Sequence, residues 1–154
     1  MYEDYLTKAL VGIINAKQAL NNFEQTNIKD LKNTAAYNVQ QAIEYLLKYC
    51  IYNCEKYHKE STQFKQLYTH NLALMIREYC VPYEINVPKM ICKNAELYTS
   101  WEAESRYSLG FSVRLDSLQK AIDYTETWLV ELKPNYKKKV NQVNERLGLN
   151  TYHT

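Results

Sequence analysis

The sequence predicts an all-α fold, an up-and-down bundle of about five helices with a short extra helix at its C-terminal end. Two observations support this prediction. The 154 residues include only three Gly and three Pro, and apolar residues recur at steps of three and four in five successive segments. A β-sandwich or a dinucleotide-binding fold needs more turn and loop glycines than this chain has. At this length roughly two-thirds of the unfolded surface is buried on folding, so a core forms without disulfides.

Two long helices open the predicted bundle. The first runs from Tyr2 to about Phe23 and places Lys17 on its polar side. The second runs from about Lys32 to about Tyr57, with Asn33 or Thr34 as its N-cap. The inward-facing positions of the two helices are Leu6, Ala9, Leu10, Ile13, Leu20, Phe23, Ala36, Val39, Ile43, Leu46, Leu47, Cys50 and Ile51.

Shorter helices follow a polar loop over residues 58–66. The third helix extends from about Asn71 to Tyr79, with Thr69 as its predicted cap. The fourth begins at Pro88, where a missing backbone N–H costs nothing, and stops near Tyr107 because Gly110 follows.

The fifth helix extends from about Asp116 to Leu132, before a proline. A last amphipathic helix from Tyr136 to Leu147 is closed by Gly148. We expect a single domain, in which residues 1–133 form the bundle and residues 134–154 form a helical extension and tail.

Charge and hydropathy exclude several classes of protein. A formal charge of +2 and a pI near 8.2 give the average surface no reason to attract nucleic acid. The one basic cluster, Lys137–Lys139 with Lys133 and Arg146, is interpreted as a solvated face, with phosphate contact as the alternative. No apolar run reaches about 18 residues, and Glu3 and Asp4 interrupt the first segment, which argues against a membrane span and a signal peptide. We therefore expect a cytoplasmic protein without membrane contact.

Four cysteines are too few and too dispersed for a disulfide scaffold. Cys50, Cys54 and His58 fall at successive four-residue steps, as soft-metal ligands on one helix face would. Core cysteines occupy the same stripe, however, and no Cys-x-x-Cys pair adds chelation. We interpret the cysteines as reduced and mostly buried, and predict neither a metal nor another cofactor.

Tyrosine is unusually frequent, with 15 copies against three Phe. An A/T-rich genome would explain this composition. Tyr is also enriched at protein interfaces and stacks on bases, so an oligomer interface and base stacking are the alternatives.

The most informative stretch is Tyr37–Lys48 in the second helix. Asn38, Gln41, Tyr45 and Lys48 lie three or four residues apart, so a polar strip runs beside the apolar face. On pattern alone this strip is a helix flank with hydrogen-bonded amides. Its sequence nevertheless resembles the HEPN family of small α-helical proteins, whose second helix carries an aromatic-His-x-Gln-Gln-Ala-x-Glu-x-x-Leu-Lys pattern.

Two further motifs follow in the family's order. Thr69-His70-Asn71-Leu72 resembles its Thr-His-Asp-Leu element, and Arg106-Tyr107-Ser108 resembles its Arg-Tyr-Pro element. The resemblance covers about residues 5 to 133 and implies a HEPN-like bundle. This chain departs from the family at three places, where Asn38 replaces His, Asn71 replaces Asp and Ser108 replaces Pro.

The resemblance also bears on catalysis. HEPN ribonucleases resemble one another in an Arg followed after four to six residues by His, which supplies charge stabilisation and an acid or base. Neither Arg106 nor Arg77 is followed by such a His. His70 replaces it only if the fold brings it close to Arg106. Alternatively, Arg106 is structural and pairs with Glu44, Glu102 or a helix carbonyl.

The resemblance therefore implies a module that binds a nucleotide, RNA or a protein partner, without catalysis of its own. It implies a homodimer, and a separately encoded minimal nucleotidyltransferase as partner in a toxin–antitoxin or defence pair. One alternative is a ribonuclease toxin that uses Arg106 and His70, and another is a structural homo-oligomer with a Tyr-rich interface. The candidate binding residues are Asn38, Gln41, Lys48, His70, Arg106 and Tyr107.

Overall fold

A computed structural model describes residues 2–60, 67, 69–107 and 109–152, without the side chains of residues 58–60 and 107. All regular structure in these ranges is helical, which confirms the predicted all-α class. A π-helical turn (Ile76–Cys80), a 3-10 turn (Val81–Tyr83) and a second 3-10 turn (Pro134–Tyr136) accompany the α-helices. The α-helices are α1 (Glu3–Thr26), α2 (Lys29–Tyr52), α3 (Glu55–Glu60), α4 (Leu72–Met75), α5 (Lys89–Lys93), α6 (Ala95–Tyr107), α7 (Leu115–Leu132) and α8 (Lys137–Leu147).

Helices α1 and α2 form the antiparallel pair on which the bundle is built. Asn27, in the left-handed conformation with φ 57°, turns the chain between them. They approach closely at Gly12, where an added Cβ would lie 3.0 Å from the Asn38 carbonyl oxygen and 3.2 Å from the Ala42 Cβ. Gly12 therefore sets the distance between the two helices.

Helix α2 is the centre of the bundle, since α1, α4, α6 and α7 all pack against it. Its inward side chains, among them Val39, Ile43 and Leu47, are completely buried. Trp101 of α6 and Leu118 of α7 complete the core from the other side. The apolar stripes predicted for these helices therefore form one continuous core.

The predicted start of the second helix is wrong by three residues. α2 begins at Lys29 after Ile28, which provides no side-chain cap. Asn33 is buried inside the helix, where its Nδ2 donates to the Phe111 carbonyl at 2.7 Å and its Oδ1 accepts from the Val113 amide at 3.2 Å. Asn33 thus binds the distant loop before α7, because an amide that can cap a helix can equally satisfy a loop backbone.

Three other predicted boundaries shift. α2 ends at Tyr52 and the short α3 follows, so the expected loop over 58–66 is helical to residue 60; its remainder lies outside the described residues. Asn71, not Thr69, caps α4, since its Oδ1 accepts from the Leu74 amide at 3.0 Å. The predicted fourth helix is divided into α5 and α6 by a turn at Asn94.

The C-terminal prediction is confirmed in detail. α7 starts one residue before the predicted position, and α8 spans Lys137–Leu147 and ends at Gly148, with φ 69°. The division into residues 1–133 and 134–154 stays a prediction. Among the described helices, none combines the length and apolar character needed to cross a bilayer.

Many tyrosines are internal packing groups. Tyr2 and Tyr5 stack on Tyr52 at ring-centroid distances of 5.6 and 5.7 Å. Tyr57 meets Tyr79 and Tyr83 edge-on at 6.3 and 5.4 Å. Because these rings pack against one another within the domain, less of their aromatic surface is left for an oligomer interface.

The cysteines differ from their predicted burial. Only Cys80 is fully buried among the four; Cys50 and Cys54 are half-buried and Cys92 is exposed. All four are free thiols, as the sequence predicted. The end of α2 still buries Ile51 and Tyr52, so Cys50 and Cys54 lie at the edge of the buried stripe and not at its centre.

Candidate functional site

The polar strip of α2 is organised around a buried carboxylate, Glu44, whose side chain is only 3% exposed. Its Oε1 lies 2.7 Å from His70 Nδ1, and its Oε2 lies 3.2 Å from Lys48 Nζ. A buried charge is tolerated when it is paired and hydrogen-bonded, and here both oxygens have partners. The exposed fraction rises outward, to 15% for Lys48 and 63% for His70. We call Glu44 with its partners Lys48 and His70 the Glu44 centre. Its interior is acidic, and its cationic and imidazole groups lie closer to the surface.

Two glutamines fix the segment that carries His70. Gln40 is completely buried, and its Nε2 donates to the His70 carbonyl at 3.2 Å. Gln41 Nε2 donates to Gln40 Oε1 at 3.1 Å. From α6, Thr99 Oγ1 accepts from the Leu72 amide at 3.0 Å. Helices α2 and α6 therefore hold the start of α4 from two sides, which orients the imidazole toward Glu44.

Arg106 lies on the same side of α2 as His70, but different residues hold it there. Its Nη1 donates to Glu102 Oε1 at 2.8 Å, one of the three structural partners expected from the sequence. Its guanidinium also lies 5.6 Å from the centre of the Tyr37 ring, within the range of a cation–π contact. The side chain is 46% exposed. Arg106 is therefore a surface cation placed by α6, not a buried structural one.

The α2 residue that contacts Arg106 lies two helical turns from the α2 residue that contacts His70. Tyr37 and Glu44 are separated by seven residues, which places them on one face of α2 about 10 Å apart along its axis. The structure thus brings His70 and Lys48 together on Glu44 and holds Arg106 further along the same face. Among the described residues, Arg106 contacts Glu102 and Tyr37, whereas His70 contacts Glu44; the predicted ribonuclease pair would require the two to meet.

Asn38 and Gln41 line a neighbouring shallow groove of about 350 Å³ between α1 and α2. Tyr37 and Tyr45 stand at the groove, and Lys8 Nζ lies 5.5 Å from the centre of the Tyr45 ring. The amide nitrogen of Asn38 is already used, since it donates to the Thr34 carbonyl at 3.0 Å. Because Tyr37 contacts Arg106 and also lines the groove, the groove and the Glu44 face are continuous.

The last predicted site residue, Tyr107, ends α6, and its side chain lies outside the described residues, as does Ser108. Glu44 and Gln40 were not predicted as site residues. The signal for them was present, since a Glu and a Gln lie beside the core positions of α2, where only partnered polar groups are stable.

The structure offers no metal site in the part of the chain that it describes, where no three His, Cys, Asp or Glu side chains converge. His58 belongs to the predicted Cys50–Cys54–His58 row, but its side chain is outside that description. Burial raises the pKa of the Cys50 and Cys80 thiols to about 12. These two thiols are therefore protonated at neutral pH, unlike metal ligands or nucleophiles.

The chain matches the sequence model of the HEPN domain over residues 2–133. It belongs to the HEPN domain family. Comparison with curated proteins and with solved structures gave no match. HEPN domains are generally associated with nucleotides and RNA. In this member the first glutamine and the Glu of the second-helix motif contact the His70 segment, and the second glutamine and the Lys contact those two side chains.

Proposed function

We propose that this HEPN domain binds a nucleotide or RNA on the exposed face of α2, without catalysis of its own. The observation behind the proposal is the Glu44 centre, in which the His70 imidazole is mostly exposed and the Lys48 ammonium is partly exposed. Arg106 adds a third group on the same face. Phosphate oxygens accept hydrogen bonds from ammonium and guanidinium groups.

Hydrogen-bond donors, more than net charge, would provide the affinity. Glu44 and Glu102 offset the charges of Lys48 and Arg106, so the face is not strongly basic. The Lys48 ammonium carries three N–H donors and the Arg106 guanidinium carries five, and such charged donors hydrogen-bond to phosphate oxygens. A simple phosphate ion would therefore bind weakly, and a ligand that also contacts another surface would bind better.

The α1–α2 groove supplies that second surface. The Tyr37 and Tyr45 rings flank it, and the side-chain amides of Asn38, Gln41 and Asn15 line it. Aromatic rings stack on bases, and amides hydrogen-bond to base edges. An RNA segment with a base in the groove, one phosphate near Arg106 and another near Lys48 would use four of the candidate residues, Asn38, Gln41, Lys48 and Arg106.

The proposed partners are a second copy of the chain and a separately encoded minimal nucleotidyltransferase, as in toxin–antitoxin or defence pairs. One feature supports a protein partner near the site. Leu109, three residues after Arg106, is completely exposed at 103%. Apolar side chains beside a polar site are typical of contact surfaces.

A ribonuclease remains the second candidate, because the Glu44–His70 contact resembles a carboxylate-oriented general base. With Nδ1 held by the carboxylate, the other ring nitrogen is available to take or give a proton. In this mechanism His70 would act as the acid or base, and Arg106 would not need to contact the same carboxylate.

The test is titration of the full chain with a fluorescent single-stranded RNA and with AMP, followed by anisotropy and calorimetry. Lys48→Gln and Arg106→Gln should each weaken binding by about tenfold or more, whereas Lys138→Gln, which removes an exposed charge on α8, should not. Equal binding by all four proteins would contradict the proposal.

The same samples separate the alternatives. Cleavage of the RNA that disappears in His70→Ala would favour the ribonuclease. A stable dimer by light scattering with no binding of RNA or AMP would favour a structural homo-oligomer.

A further inference from the structure

A second centre lies at a pocket of about 470 Å³ that shares no lining residue with the groove or the Glu44 face. Helices α1, α7 and α8 form its walls, and the tail after Gly148 covers one side. No sequence motif pointed to this pocket.

The floor of the pocket is a buried polar triad of Lys17, Glu126 and Asn144. Lys17 Nζ forms an ion pair with Glu126 Oε1 and donates to Asn144 Oδ1. Asn144 Nδ2 in turn donates to Glu126 Oε1 at 3.3 Å. Lys17, predicted on the polar outer side of the first helix, is thus buried and fully engaged. An anionic ligand finds no available cation in the floor.

The rim of the pocket is acidic. Asp123 and Glu24 line it and are exposed, and neither forms an ion pair with another described residue. The lining therefore holds three carboxylates against one ammonium. Partial burial raises the pKa of Asp123, which opposes a lowering by Lys17. Partial desolvation strengthens the attraction between such a carboxylate and a cation.

The rest of the lining mixes polar side chains with an apolar part, and the tail that contributes to it is held in place. Leu20, Ile122, Leu147 and Leu149 form the apolar part. The tail is fixed by a reciprocal pair of bonds, since the Tyr152 amide donates to Asn141 Oδ1 at 2.7 Å and Asn141 Nδ2 donates to the Tyr152 carbonyl at 2.9 Å. The pocket is therefore built by the fold and is not a gap left by a loose terminus.

We infer that this pocket binds a small organic cation with an aliphatic body, of the alkyl diamine or polyamine class. The acidic rim would receive the ammonium groups, and the leucine and isoleucine side chains would cover the methylene chain. The volume falls within the range of small-molecule sites. A metal ion fits less well, because no three potential ligand side chains converge among the described residues.

Calorimetric titration of the full chain with spermidine and with putrescine tests the inference. Asp123→Asn keeps the side-chain volume and removes one rim charge at an exposed position, so the fold is retained. The matched control is Asp116→Asn, which removes the same charge from the first turn of the same helix, where Asp116 pairs with Arg114 at 3.5 Å.

We expect saturable binding of at least one of the two amines. Asp123→Asn should weaken it by about tenfold or more and Asp116→Asn should leave it unchanged. Absence of saturable binding at millimolar amine would overturn the inference. Equal affinity in Asp123→Asn and the unmodified chain, or equal losses in both variants, would also overturn it, since the latter indicates diffuse charge attraction.

Discussion

The two polar centres of this domain place their charged groups in opposite order from the interior to the surface. At the Glu44 centre the carboxylate is buried, and Lys48 and His70 lie toward solvent. At the Lys17 centre the ammonium is buried with Glu126, and the carboxylates of Asp123 and Glu24 reach the surface. The buried ion fixes the geometry, and the exposed groups determine the charge of the ligand. We therefore assign anionic ligands to the first centre and cationic ligands to the second.

The centres also differ in what they hold together. Lys48 and Glu44 are one turn apart on α2, and His70 is mostly exposed. The Lys17 triad joins three helices, α1, α7 and α8, and all its members are buried. When a partner is lost at the Glu44 centre, the remaining side chains can reorient and be solvated. When a partner is lost at the Lys17 centre, the remaining charge stays buried in the protein.

The largest expected effect is therefore at Lys17. Lys17→Met should lower the free energy of unfolding by about 3–5 kcal/mol, because Glu126 is left buried without its cation. Urea unfolding followed by circular dichroism measures the change. Lys133→Met, which removes the exposed pair with Glu3, should change the free energy of unfolding far less, because solvent screens that pair. A loss at Lys17 as small as that at Lys133 would contradict the enclosed ion pair.

A substitution at Gly12 tests the helix pair that carries the Glu44 face. Gly12→Ala places a Cβ 3.0 Å from the backbone oxygen of Asn38, which cannot move without shifting α2. We expect a loss of about 1–3 kcal/mol in the free energy of unfolding, together with weaker RNA binding. Val11→Ala, at a half-exposed neighbour, should change stability by less than about 0.5 kcal/mol. Unchanged stability in Gly12→Ala would show that α1 and α2 are not in close contact there.

A smaller effect is expected from neutralising Glu44. Glu44→Gln retains the size and one acceptor oxygen, and the released Lys48 and His70 can reach solvent. The cost should be about 1 kcal/mol, clearly below that of Glu126→Gln measured in the same denaturant series. The contrast between the centres fails if the two glutamine variants are equally destabilised.

The effect that is smallest near neutral pH concerns the thiols. Burial holds the pKa of Cys50 and Cys80 at about 12, so both remain neutral in the folded protein at about pH 9. Unfolding restores an ordinary thiol pKa. Their contribution to stability is thus complete below that ordinary pKa and is lost as the pH rises toward 12.

Thiol labelling at about pH 8 measures this directly. The exposed Cys92 should react first and Cys80 last. Rapid labelling of Cys80 in the folded protein would contradict its burial.

The sequence predicted most of the framework because periodicity reports which side of a helix is buried. α1, α7 and α8 appeared close to their observed bounds. Asn33 was assigned as a cap because residue type does not distinguish a helix end from a bond to a loop 78 residues away. The same limit hid the Lys17 triad, since Lys17 and Asn144 are 127 residues apart and each looks like an ordinary surface residue.

The candidate site was predicted in part. Lys48 and His70 were identified through the family resemblance, and the structure joins them through Glu44. Their distance from Arg106 depended on how α4 and α6 pack on α2, which local pattern does not encode. The contact between Arg106 and Tyr37 is a consequence of that packing.

The most direct test of the two-centre account is a crossed titration, with single-stranded RNA and spermidine measured separately on Lys48→Gln and Asp123→Asn. The account predicts that Lys48→Gln weakens RNA binding and leaves spermidine binding unchanged, and that Asp123→Asn does the reverse. Equal effects of both substitutions on both ligands would contradict the assignment of anionic ligands to one centre and cationic ligands to the other.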